Sequence, residues 1–529
     1  MGFVYNGENG SITKKAGELM MSKEKKTLGI EFGSTRIKTC VIDGTYHVLS
    51  SGDHTWKSDC VNGVWTYDLK DAWDGLRDAL RHTECLDGLD AMGVSAMMHG
   101  YLAFDKDWNL LAPFRTWQNT MTGQAAGELT GLFRFNIPQR WSVAHLYQAI
   151  LNGEDHIGRI AHITTLAGYI HHALTGENVL GVGEASGMFP IDPATLDYND
   201  RMVSAFDSLE KVKALGLKIR NVLPKVLPAG APAGCLTGEG AALLEGMLPE
   251  GLPFAPPEGD AGTGMTATNA VRERTGNVSA GTSIFSMVVL EKPLKAVHEE
   301  IDVVTTPAGK EVAMVHCNNC TNDFNAWTEV LNETVNLFGG SADKGELFTK
   351  LYQKSLEGDA DPGMVVINYM AGEGVTHMNS GRPMVLRRPD SPFTLANFMR
   401  ASLYSTMATL KIGMDILSAE GVAIDTLTGH GGLFKTPVVG QKYMAAACNA
   451  AVSCMETAGE GGPYGMALLA MYRAEKKENE TLEDYLSSKV FKDVKAVVMR
   501  PEQADVDGFN AWMKDYRAAL EVERCAVNG

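Results

Sequence analysis

A strand, a tight Gly-Ser/Thr turn and a second strand occur twice in this chain, about half a chain apart. The first copy is Leu28-Gly-Ile-Glu31-Phe-Gly33-Ser34-Thr35-Arg36-Ile-Lys-Thr-Cys-Val-Ile42. The second is Gly276-Asn-Val-Ser-Ala-Gly281-Thr282-Ser283-Ile-Phe-Ser-Met-Val-Val-Leu290. Each reads as a β-hairpin. Backbone N–H groups at such a turn, with hydroxyls beside them, form a concave donor nest for an anion. Either copy alone reads as an ordinary hairpin with small turn residues. Two nests in two halves point to two lobes gripping one polyphosphate.

Bulk properties narrow the classes. A chain of 529 residues holds two or more domains with cores of their own. A net charge of −17 supplies no basic field, which argues against a nucleic-acid partner. A local donor nest still suits a phosphorylated ligand. The nine cysteines are odd in number and scattered, against a disulfide framework. Cys317-Asn-Asn-Cys320 is a lone CxxC and reads as two reduced thiols. No apolar run reaches the ~18 residues of a membrane span, and the expected compartment is a reducing cytoplasm. Residues Met1–Ala16 are polar and aperiodic, so 1–26 is expected to be a disordered extension. Met20 or Met21 is an alternative start.

The pattern from Thr27 to Ser95 is strand-rich, with strands expected at Leu28–Glu31, Thr39–Ile42, His47–Ser50 and Ala91–Ser95. Apolar residues at helical spacing predict a helix over Leu69–Arg81. Helical patterns then dominate Thr122–Thr175, including Ala161–Leu174. The Pro/Gly-rich stretch from Leu248 to Gly259 predicts a hinge or crossover. Later helices are expected from Pro392 to Glu420, closed by Gly421, and over Tyr464–Glu475. The domains implied are 27–268 and 269–529.

Glu258-Gly259-Asp260-Ala-Gly262-Thr263-Gly264 is the sharpest chemical cluster. Its glycines let a ligand approach the backbone, and a helix over Met265–Arg272 would place Asp260 near a positive N-terminus. An ordinary Asp N-cap is the other reading. Phosphoryl transfer needs a carboxylate to take the acceptor's proton, donors for the phosphates, and Mg²⁺ to offset charge. Glu31, at the end of the first strand, could orient Mg²⁺ through waters or be a solvated strand-end acid. Gly431-Gly432 and Gly461-Gly462 read as turns or as a flat shelf for a nucleotide. Met98, His99, Trp117 and Asn119 offer stacking and directional hydrogen bonds to a sugar, or belong to the core.

These residues together resemble the FGGY carbohydrate kinases over nearly all of Thr27–Ala470. The first hairpin resembles that family's Asp-x-Gly-Thr-Thr/Ser turn, and Met98-His99-Gly100 its Met-His-Gly. Trp117-Gln118-Asn119 stands at its Trp-Asn-Asp position, and Leu174-Thr175-Gly176 resembles a helix end. Gly259-Asp260 resembles the catalytic-base motif, Gly281-Thr282-Ser283 the second phosphate turn, and Met370-Ala-Gly-Glu373 the Gly-Glu-Arg region. Gly431-Gly432 and the run Gly459–Ala470 resemble adenosine-side motifs.

The resemblance implies an α/β, actin/hexokinase-like (ribonuclease H-like) ATPase fold with two duplicated lobes around a central cleft. It implies a kinase that phosphorylates a primary hydroxyl of a ketose or polyol. Asp260 would be the base and a sugar and metal contact, and Glu31 a metal contact. Met98, His99, Trp117 and Asn119 would meet the sugar. Gly33, Ser34, Thr35, Gly281, Thr282, Ser283, Gly431, Gly432, Gly461 and Gly462 would meet ATP. The expected partners are a small sugar or polyol, no nucleic acid and no membrane; a homodimer stays open. Glu31 replaces the family's Asp, Asn119 an Asp, Met121 an Arg and Gly374 an Arg. Those departures keep open a non-catalytic ATP- or sugar-binding protein of the same fold.

Overall fold

The computed structural model describes residues 25–455 and 461–528. The expected N-terminal extension, but for its last two residues, and the alternative starts Met20 and Met21 lie outside the described residues. So does Gly459 of the later glycine run. The described chain divides into two compact units. The first takes 25–267, 305–309 and 461–493; the second takes 268–304, 310–455 and 494–528. No helix of the described residues is long and apolar enough to cross a membrane.

The first unit is built on a five-stranded sheet. Its strands are β1 (Lys26–Phe32), β2 (Arg36–Asp43), β3 (Val48–Thr55), β4 (Ala91–Ala96) and β5 (Glu258–Gly259), in the order β5-β4-β1-β2-β3. β1 pairs antiparallel with β2, and β2 with β3, whereas β1–β4 and β4–β5 are parallel. Leu28, Ile30, Phe32, Ile37, Met92 and Val94 are buried in its core. Helix α1 (Leu69–Arg81) forms over the span its apolar spacing predicts and buries Trp73, Leu76 and Leu80.

The second unit repeats this plan. Strands β6 (Thr275–Ala280), β7 (Ile284–Val289), β8 (Glu311–Cys317), β9 (Thr426–His430) and β10 (Ala451–Met455) run in the order β8-β7-β6-β9-β10. One further strand flanks them at each edge. The pairings β6–β7 and β7–β8 are antiparallel; β6–β9 and β9–β10 are parallel. Five strands with the same order and directions thus occur in both units. That is the duplicated α/β plan of the actin/hexokinase-like fold.

Several local expectations change. The span Ala161–Leu174 is not one helix: His162–Thr164 is a strand, and Thr165 caps helix α2 (Leu166–Thr175) through its side chain. The Pro/Gly-rich stretch lies within the first unit, and the chain passes into the second at 267–268, just beyond it. Phe254 is fully buried and bridges to Met92, and β5 closes the edge of the sheet. Helix α3 spans Asp260–Ala267, a turn earlier than its composition predicts, so Asp260 opens it. Helix α4 (Leu395–Glu420) begins after the Thr394 cap and ends at Gly421, whose φ is 82°. Helix α5 (Gly461–Glu475) belongs to the first unit and lies against β1 and β4. Glycines permit that approach. A Cβ added at Gly29 would stand 2.0 Å from the Pro463 carbonyl oxygen, and one at Gly465 2.0 Å from that of Thr263.

Candidate active site

Sheet register brings acidic side chains to one end of the first unit. Glu31, near the end of β1, pairs with Lys38 on β2 and with Ser95 on β4; Ser95 pairs in turn with Glu258 on β5. Glu31 is 9% exposed, and the Lys38 ammonium lies 3.9 Å from its Oε2. On its other side is Gly462 of α5, where an added Cβ would come 2.0 Å from Glu31 Oε1 and 3.2 Å from Thr263 Oγ1. The Thr263 and Ser95 hydroxyls lie 3.2 Å apart. Asp260, at the start of α3, accepts through Oδ1 from the N–H groups of Met98 (3.0 Å) and Ala261 (2.9 Å).

Burial dominates the electrostatics. It pushes the Glu31 carboxyl up to about 7; Lys38 opposes this and the Asp260 charge adds to it. Burial also raises the Asp260 carboxyl, against the stabilising amides of Met98 and Ala261. Glu258 is pushed up to about 8, although its carboxylate accepts from the Gly183 and Glu184 N–H groups. Glu184, wholly buried beside it, is raised well above the usual range for the same reason.

A divalent cation suits these residues. Glu31 carries a charge that burial and Asp260 both disfavour, and Lys38 is a half-exposed counter-charge nearly 4 Å away. Among the described residues no group of three or more His, Cys, Asp or Glu forms a closed metal cage. One or two carboxylates, completed by water and substrate phosphates, is the set that Mg²⁺ uses.

The two hairpin turns are held alike. In the first, Gly33 N–H donates to Arg36 O, and aromatic residues take all three turn carbonyls. Trp56 Nε1 donates to Gly33 O (2.7 Å), the Tyr67 hydroxyl to Ser34 O (2.6 Å) and Trp56 N to Thr35 O (3.1 Å). In the second, Thr321 donates to Gly281 O through both its N–H and its hydroxyl, and Cys320 N–H donates to Thr282 O. The Gly281 N–H donates to Ser283 O in the same way, so with these carbonyls engaged the amides each turn has left to present are those of Ser34–Thr35 and Thr282–Ser283. Thr35 and Thr282 are exposed.

The residues expected to meet sugar divide into two kinds. Met98 and His99 are buried close to Asp260, and His99 has a strained φ of 72°. Its Nδ1 lies 3.2 Å from Gly187 O, and its ring stacks on Trp141 with centroids 6.1 Å apart. Trp117 is half-buried and donates from Nε1 to the Ser34 hydroxyl at 3.3 Å, tying it to the first turn. Asn119 is different. Its Oδ1 accepts from Trp65 N–H at 2.9 Å, and its Nδ2 donates to Trp65 O (2.8 Å) and Thr116 O (3.0 Å). Both ends of the amide thus already bond to backbone, and Oδ1, with one donor, keeps a second lone pair. Asn119→Ala strands those groups and costs about 2 kcal/mol of stability, to be read as a lowered thermal midpoint. Gln118, passed over in favour of its neighbours, has a buried Oε1 with no partner among the described residues.

The glycine pairs also divide. Gly431 has φ 98°, and an added Cβ would fall 2.4 Å from Ala280 O, so packing against β6 accounts for it. Gly432 meets nothing within 4 Å and is exposed. Gly462 lies on Glu31 in the first unit, not in a nucleotide shelf of the second, because α5 packs on β1. Gly461, with φ 73°, begins that helix.

Comparison with known proteins agrees with the fold and gives the family. The chain is 24% identical to the xylulose kinase of Haemophilus influenzae over 401 residues, covering 74% of this chain and 77% of that one. It is 23% identical to the Escherichia coli xylulose kinase over 475 residues, covering 85% and 91%. Among solved structures, a ligand-bound xylulose kinase from Lactobacillus acidophilus superposes with a TM-score of 0.78 at 16% identity, covering 94% of this chain and 98% of that one. A Plasmodium falciparum glycerol kinase with ADP gives 0.74 at 14% identity, covering 94% and 98%. The N-terminal domain of the FGGY family of carbohydrate kinases matches residues 26–265, and its C-terminal domain matches 276–474. The chain belongs to the FGGY carbohydrate kinases and is a sugar kinase, a phosphotransferase with an alcohol group as acceptor.

Proposed function

We propose that this kinase transfers the γ-phosphoryl group of ATP to a primary hydroxyl of a small ketose or polyol, with Asp260 as general base. The observation that carries the assignment is the posture of Asp260. It stands at the N-terminus of α3, with its bonds to Met98 and Ala261 both on Oδ1, so Oδ2 is the oxygen left to take a proton. The acceptor hydroxyl gives its proton to Oδ2 as its oxygen bonds to the γ-phosphorus. The bond from that phosphorus to the β–γ bridging oxygen breaks, and ADP leaves with the electron pair. Mg²⁺, held by Glu31 and Asp260, would neutralise charge on the phosphates. On this reading the amides of Ser34–Thr35 and Thr282–Ser283 are the phosphate donors, the Gly33 and Gly281 N–H groups being spent on Arg36 O and Ser283 O, and Gly432 leaves room for the nucleoside.

Met98, His99, Trp117 and Asn119 line the acceptor side of this reading, and Gln118 joins Asn119 as a polar contact. A pentulose is supported by the xylulose kinases among the relatives. The fold leaves the acceptor open, because a gluconate kinase from Lactobacillus acidophilus superposes as well, with a TM-score of 0.77. Nine free thiols accord with a cytoplasmic enzyme. The test is ADP release with Mg²⁺ over a panel of ketoses and polyols. Stimulation by one class identifies the acceptor; none across the panel leaves the non-catalytic binder.

A further inference from the structure

Glu373 is a buried acid in the second unit to which the reaction above gives no task. It is 1% exposed, and three N–H groups converge on its Oε2: Asn318 N at 3.0 Å, Asn319 N at 3.2 Å and Asn319 Nδ2 at 3.1 Å. Asn319 answers through Oδ1, which accepts from Met370 N–H (2.9 Å) and Ala371 N–H (3.0 Å). Asn318 Nδ2 donates to Gly372 O at 2.8 Å. Asn319 Nδ2 also donates to Ala371 O (3.2 Å) and Gly372 O (3.5 Å), so the segments 318–319 and 370–373 are joined by eight hydrogen bonds.

The next two residues of that loop grip the phosphate turn. Cys320 N–H donates to Thr282 O at 3.0 Å, and Thr321 donates to Gly281 O from N (3.2 Å) and from Oγ1 (2.8 Å). On the other flank, Cys317 ends β8 in register with Ile284, the residue that follows the turn. Asn368 Nδ2 fastens Cys320 O at 2.9 Å. Any shift at Asn318 or Asn319 passes through one peptide unit to the groups that orient the Gly281 and Thr282 carbonyls, and with them the turn's amides.

We propose that Glu373 is a positioning residue for the Gly281–Ser283 turn, acting through the Cys317–Thr321 loop; this rests on the reading of that turn as an ATP phosphate site. A carboxylate suits the place for a physical reason. Three converging N–H donors are best met by one anionic acceptor, whose hydrogen bonds are roughly twice as strong as neutral ones. A carboxylate serving only to fill the core would carry the desolvation cost with nothing to offset it. Glu373 touches neither substrate nor reacting atoms in this account. Its effect falls on nucleotide binding.

The test is a mutant cycle in the full-length enzyme, with KM for ATP and KM for the accepted ketose measured separately. Glu373→Ala raises the ATP KM about tenfold and leaves the ketose KM within about twofold. Glu373→Gln keeps an oxygen facing the three donors but loses the charge, so it restores most of the binding and leaves the ATP KM about threefold above the parent's. Thr321→Val, which removes one bond to Gly281 O, raises the ATP KM about fivefold. The double variant Glu373→Ala/Thr321→Val falls short of the product of the two, because both act on one turn. If Thr321→Val raises the ATP KM while folded Glu373→Ala leaves it unchanged, the inference is overturned and the phosphate-turn reading stands. If neither variant moves it, that reading falls and the inference with it. Should Glu373→Ala not fold, Glu373→Gln decides: an ATP KM equal to the parent's overturns the proposal. Equal increases in both KM values overturn it as well, since general loosening would produce them.

Discussion

Asp260→Asn lowers kcat by about a thousandfold, within the range that a positioned general base supplies, and leaves ATP affinity within about threefold. The amide is nearly isosteric and keeps an oxygen for the Met98 and Ala261 N–H groups, so the start of α3 stays in place. What it loses is basicity. Asparagine cannot take a proton from the acceptor hydroxyl, and the attacking oxygen must then shed it to water. Single-turnover kinetics with nucleotide binding measured in parallel separate the two effects. A variant turning over at the parent's rate would remove Asp260 from the base role. In the parent, kcat/KM falls on the acid side, where the carboxyl becomes protonated. Burial raises that carboxyl, so the decline begins at a higher pH than for a solvated aspartate.

Gly29→Ala lowers the thermal midpoint by roughly 6–12 °C, the equivalent of about 3 kcal/mol in a unit of this size. Gly29 lies in the interior of β1, paired with Cys40 on β2 and Gly93 on β4. Its added Cβ would stand 2.0 Å from Pro463 O and 2.5 Å from Ala467 N. Both are backbone atoms, which no change of rotamer can move aside. Helix α5 must therefore lift from the sheet, breaking the Thr27 hydroxyl bond to Ala467 O and withdrawing Gly462 from Glu31. Activity should fall together with stability. Gly127→Ala, on the exposed face of the helix Gly123–Phe133 where an added Cβ meets nothing within 4 Å, is the control. It should leave the midpoint unchanged or raise it slightly. A Gly29→Ala protein as stable as the parent would show that the helix does not rest on this contact.

Local chemistry made part of this protein legible. Both hairpins were readable because Gly33-Ser34-Thr35 and Gly281-Thr282-Ser283 carry their turn signal within a few residues. Helix α1 was readable because its stripe, Trp73, Leu76 and Leu80, is the face it buries. Strand β5 was not, since two residues have no periodicity and Pro/Gly neighbours read as a break. Nor was the strand His162–Thr164, three residues long and running straight into α2. Whether a side chain faces a ligand or its own backbone is a tertiary matter. Asn119 has the chemistry to bind a hydroxyl, and the fold also ties it to Trp65 and Thr116. Gly462 has the flatness to admit a purine, yet α5 lays it on Glu31. The Asn119–Trp65 and Gly462–Glu31 contacts join residues far apart in the chain, where no local pattern reaches.

The place of α5 bears on modularity. Two sheets with the same strand order invite the view that the chain is two interchangeable halves, separable near residue 268. The first unit, however, is completed by residues 461–493, translated after most of the second. A fragment ended at the midpoint would leave Gly29 and Gly93, surfaces shaped to receive a helix, facing water. The repeated architecture is therefore not portable in its present order. Any transplant of the acid-bearing half must take this late segment with it.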